Sequence, residues 1–87
     1  MQLKVFTELA ISGGVSGVII STDRSDERKR KVVDVVTVFN QTVRLSTANK
    51  MPRYFRNTAH ALETLSSQTG ELRKVKVKII DEDEVQG

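Results

Sequence analysis

Segments of β-branched residues on either side of one amphipathic stretch identify an α+β domain. The expected architecture is a small, mainly antiparallel sheet of about four to five strands, in the order β-β-β-β-α-β, packed on one helix over residues 52–69. The β-branched run is Val32-Val33-Asp34-Val35-Val36-Thr37-Val38-Phe39, the amphipathic stretch lies between Pro52 and Gln68, and a last alternating segment covers residues 71–81. A chain of 87 residues buries only roughly 60% of its unfolded surface and supports one core. Residues 1–80 are therefore read as a single domain and residues 81–87 as an acidic C-terminal tail.

From the N-terminus, Gln2 to Ile11 alternates as a strand, with Leu3, Val5, Thr7 and Leu9 on one face and Lys4 and Glu8 on the other. Ser12-Gly13-Gly14 ends it, and Val18-Ile19-Ile20 makes a short apolar strand within Gly17 to Ser21 that can pair back as a hairpin. Thr22 to Lys31 holds no apolar residue and reads as an exposed connection. Lys31 to Ser46 fits two periods: a helix with Val32, Val36, Phe39 and Val43 on one stripe, or strands with Val33, Val35, Thr37, Phe39, Gln41, Val43 and Leu45 on one face. Two strands joined near Asn40-Gln41 are preferred, because β-branched residues lose χ1 freedom in a helix.

The helix has Pro52 in its first turn, Phe55, Thr58, Ala59, Leu62 and Leu65 at helical spacing, and Gly70 as a stop. In the final strand Leu72, Lys74, Lys76 and Lys78 share one face, and Arg73, Val75, Val77 and Ile79 share the other.

Charge narrows the function classes. The formal net charge is +3, but four of the eleven acidic residues are Asp81, Glu82, Asp83 and Glu84. The first eighty positions carry fourteen Lys/Arg against seven Asp/Glu, a net of +7, which favours an acidic partner. The tail is read as a solvated end, with a sharper alternative in which it competes with nucleic acid for the basic surface. Without cysteine there is no disulfide framework or thiolate metal site. A chain this small without such staples often gains buried area by assembling, so a homo-oligomer, most simply a dimer, is expected. The N-terminus resembles neither a signal nor a transit peptide, and no apolar run reaches membrane-spanning length, so a soluble cytoplasmic protein without membrane contact is expected. Asn40-Gln41-Thr42 matches a glycosylation acceptor by chance in such a setting.

No catalytic constellation is apparent. His60 is the sole histidine, which excludes a multi-histidine metal site, and Glu8, Asp34 and Glu63 have no spacing that pairs them. Gly13-Gly14-Val15-Ser16-Gly17 lacks the Gly-Lys-Ser/Thr ending of a P-loop and the spacing of a nucleophile elbow. The chain is thus expected to be no enzyme and to need no metal or cofactor.

Three basic groups remain: Arg24, Arg28, Lys29, Arg30 and Lys31 in one loop; Lys50, Arg53 and Arg56 around Tyr54; and Lys74, Lys76 and Lys78 on the last strand. Converging, they would track a phosphate backbone, with Tyr54 or Phe6 offering a ring to a base. The expected function is a small nucleic-acid-binding protein, for DNA or RNA, with weak sequence preference and an accessory or regulatory role in replication, transcription or DNA transfer. The alternative is a protein-interaction module, a small regulator or inhibitor docking on an acidic protein surface. Asp23, Asp26 and Glu27 interrupt the basic loop and favour that alternative.

Overall fold

Two helices and a four-stranded mixed sheet build the computed structural model, which describes residues 1–68 and 75–80. In chain order these are α1 (Leu3–Ile11), β1 (Val15–Thr22), β2 (Lys31–Thr37), β3 (Thr42–Arg44), α2 (Thr58–Gln68) and β4 (Lys76–Ile80), and the sheet order is β3-β2-β1-β4. The α+β class stands, with three corrections. None of the described helices is long and apolar enough to cross a membrane.

The first correction is that Gln2 to Ile11 is helical and not a strand. The alternating pattern put Phe6 and Ala10 on the same face as Lys4 and Glu8, whereas helical spacing puts Phe6 and Ala10 one turn apart. Both are buried, with Leu3 and Leu9 packed beside them, while Val5 is half exposed. Burying a phenylalanine outweighs a good alternation of smaller groups.

The second concerns pairing. With no N-terminal strand to return to, β1 pairs antiparallel with β2 and parallel with β4, so the sheet is mixed. A bulge between Val15 and Gly17 adjusts the register at the start of β1. The expected two strands joined near Asn40-Gln41 are β2 and β3, with Asn40 in the left-handed region (φ 63°) at the turn.

The third is that α2 begins at Thr58 and not at Pro52. Asn57 caps it, its Oδ1 accepting the His60 N–H at 2.8 Å. The residues before it are not helical, and Phe55 exchanges backbone hydrogen bonds with Lys31 (2.9 and 2.8 Å), continuing the sheet where β3 ends. Phe55 is buried, as expected of the apolar stripe, but from this segment ahead of the helix, and the helix itself buries Ala61 and Leu65. The expected stop at Gly70 lies outside the described residues.

Both helices pack on one face of the sheet, where Phe6, Ala10, Ala61 and Leu65 meet Val18, Ile20, Val33 and Val35. The opposite face carries no helix among the described residues, and it positions the candidate site.

Candidate nucleic-acid interface

The acids of the β1–β2 connection fix its shape. Asp26 accepts hydrogen bonds from Arg30 through the backbone N–H (2.9 Å), Nε (3.0 Å) and Nη2 (2.9 Å). This bidentate clamp holds the Asp26 carboxyl down at about 2 and raises the Arg30 guanidinium above its ordinary value. Asp23 accepts from the Ser25 hydroxyl (2.6 Å), the Ser25 N–H (3.0 Å) and the Tyr54 hydroxyl (2.8 Å), which lowers its pKa. The same bond raises the pKa of Tyr54, because the neutral phenol is the donor. Lys29, at φ 52°, folds its Nζ onto the Arg24 carbonyl at 2.6 Å.

Tyr54 joins two of the three basic groups. The Arg30 guanidinium lies 4.3 Å from its ring centroid, so one stack ties the loop to the segment that carries Arg53 and Arg56. The stack occupies one face of the Tyr54 ring. Phe6 is removed from the role of offering a ring to a base, since it is completely buried in the core. Lys31 is also corrected: it is buried and its Nζ donates to Thr22 Oγ1, so it works inside the fold. Arg24, Arg28, Lys29, Lys50 and Arg56 are exposed, Arg30 and Arg53 partly so, and Lys50 holds a turn at φ 64°.

Lys76 and Lys78 of the third group sit on the open face. Residues opposite one another across strands share a face, so Arg44, Asp34, Ile19 and Lys78 form one row, and Thr42, Val36, Gly17 and Lys76 the next. A third row runs through Val32, Ser21 and Ile80, and continuing the Lys31–Phe55 pairing sets Tyr54 opposite Val32. Lys78 and Arg44 therefore stand on opposite edges of this face, three strand spacings or roughly 14 Å apart. Lys76 and Lys78 are exposed, and so are Val77 and Ile79 on the other side of the strand. Lys74 and the acidic tail lie outside the described residues.

Sequence reasoning missed the middle of this face. Arg44 is held by Asp34, with Nε 2.9 Å and Nη2 3.3 Å from the carboxylate, which raises the arginine's pKa. The turn over residues 38–40 puts Asp34 opposite Arg44, a register that a join at Asn40-Gln41 does not give. Beside it, Gly17, Ile19 and Val36 floor a groove of about 240 Å³ flanked by Lys76 and Lys78. Ile19, in the middle of the apolar run Val18-Ile19-Ile20, faces outward, half buried.

His60 takes part in the helix start instead. Its Nδ1 accepts the Arg56 N–H at 3.2 Å, and its ring meets Phe55 edge-on at 5.5 Å. Among the described residues no group of three or more His, Cys, Asp or Glu is arranged to hold a metal ion. The chain matches no known family model, and neither a curated protein nor a solved structure is significantly similar to it.

Proposed function

We propose that this protein is a non-enzymatic nucleic-acid-binding module that grips the phosphate backbone through basic groups around the open face of its sheet. The observation that carries this is unspent cationic charge. Arg28, Arg53, Arg56, Lys76 and Lys78 make no ion pair with a described carboxylate, whereas Arg30 and Arg44 are neutralised by Asp26 and Asp34. Cations without such an ion pair gain most from a polyanion, through release of its condensed counterions. Their contacts fall on phosphate and carry no sequence code, so the module serves as an accessory or regulator in replication, transcription or DNA transfer.

The test is fluorescence anisotropy of labelled single-stranded DNA, duplex DNA and RNA of equal length at two salt concentrations. Binding that weakens along a multi-charge slope supports the reading, and its absence at low salt refutes it. Combined Arg28→Ala, Arg53→Ala and Arg56→Ala should lower that slope by about 2–3 with the circular dichroism spectrum retained.

A protein-docking reading has its own support at the far end of the sheet. Phe39 is 77% exposed at the β2–β3 turn, beside half-exposed Val38, and the Val38 N–H bonds to the Gly14 carbonyl at 2.9 Å near exposed Ile11. This apolar end is where the dimer expected for so small a chain would form. Sedimentation of the native protein and of Phe39→Ser tests it: a dimer that becomes a monomer on substitution supports the assembly, and a monomeric native protein removes it.

A further inference from the structure

We infer that the groove between β4 and the β1–β2 pair seats an unstacked base of a single-stranded nucleic acid, with Lys76 and Lys78 on the flanking phosphates. This rests on the nucleic-acid reading and deepens it by naming the strand form. The floor is two half-buried aliphatic side chains, Ile19 and Val36, and the bare backbone of Gly17. A phosphate gains nothing from such a floor, whereas the flat apolar face of a base does. In a duplex that face is hidden in the stack.

Glycine keeps the groove open. A Cβ at position 17 would lie 3.1 Å from the Lys76 carbonyl oxygen, so any side chain there would crowd β4 and fill the floor. The two ammonium groups rise from the same side of one strand two residues apart, about 7 Å along it, which suits successive phosphates of an extended strand. On this face no described helix projects to enter a major groove; α1 and α2 both pack on the other side. The lining supplies no side-chain amide or carboxylate to read base edges, so the seat accepts any base.

The experiment compares four ligands of equal length on the native protein: single-stranded DNA, the same strand with abasic sites throughout, duplex DNA, and single-stranded RNA. Single strands with bases should bind about fivefold or more tighter than the abasic strand and tighter than duplex. Ile19→Ala with Val36→Ala should abolish the preference for bases while leaving the salt slope unchanged. Lys76→Ala with Lys78→Ala should lower the single-strand slope by about 1.4. Equal binding of normal, abasic and duplex ligands along a steep salt slope overturns the groove assignment and leaves the phosphate reading standing. No binding of any ligand overturns both. The abasic comparison needs no variant, so it decides the matter even where a substitution perturbs folding.

Discussion

Tyr54 is the residue on which the basic end of the molecule depends, because it bonds Asp23 and carries Arg30 on its ring. Tyr54→Phe keeps the ring and loses the hydroxyl. The expected outcome is a lower urea midpoint at unchanged slope, with faster amide exchange across residues 23–30. The Asp26–Arg30 clamp has a pH signature. A carboxyl held at about 2 in the fold, against ~3.9 in the free chain, stabilises the folded state above that free-chain value and loses its contribution as pH falls towards 2. Asp26→Asn should therefore be less stable than the native protein at pH 7, with the two urea midpoints converging between pH 5 and pH 2. Midpoints that stay equally separated across that range would remove the clamp from the acid limb.

At the scale of elements, two glycines separate local from tertiary constraint. At Gly14 a Cβ would meet Leu9 Cδ1 at 2.5 Å and Cγ at 2.8 Å, so the Leu9 side chain, packed against the core, must shift. At Gly17 it would meet the backbone of β4, which cannot move without loosening the β1–β4 ladder. Gly14→Ala and Gly17→Val should each cost about 1–3 kcal/mol, measured by urea unfolding. For α2 the cap is the point of leverage: Asn57→Ala leaves the His60 N–H unbonded and should cost about 0.5–2 kcal/mol. The failure to foresee α1 has the same origin as the displaced start of α2. In a nine-residue helix packing counts for more than propensity, and Phe55 is buried through a sheet contact that no local pattern announces.

For the whole molecule the two faces of the sheet divide the work. One face holds the apolar interior, where Leu65→Ala should cost about 2–5 kcal/mol because the residue is fully buried among core side chains. The other presents the half-buried aliphatic groups Ile19 and Val36 beside the exposed Lys76 and Lys78. The described residues carry twelve Lys/Arg and six Asp/Glu, so binding to a polyanion should depend steeply on salt, and thermal stability should rise when a short polyanion is added. An unchanged melting temperature across a titration with single-stranded DNA would count against binding to the folded form.

The sequence by itself determined the α+β class and the charged β1–β2 connection, and it favoured the β2–β3 hairpin over a helix, because each follows from local periodicity, turn residues or charge. Only the tertiary structure decided that residues 3–11 are helical, that β1 lies parallel to β4, and that Lys31 and Phe6 are interior. It also stacked Arg30 on Tyr54, and it gathered Gly17, Ile19 and Val36 into one floor. These outcomes depend on which residues meet across long separations in the chain, and the free energy of burial that selects them is invisible to any window of neighbouring positions.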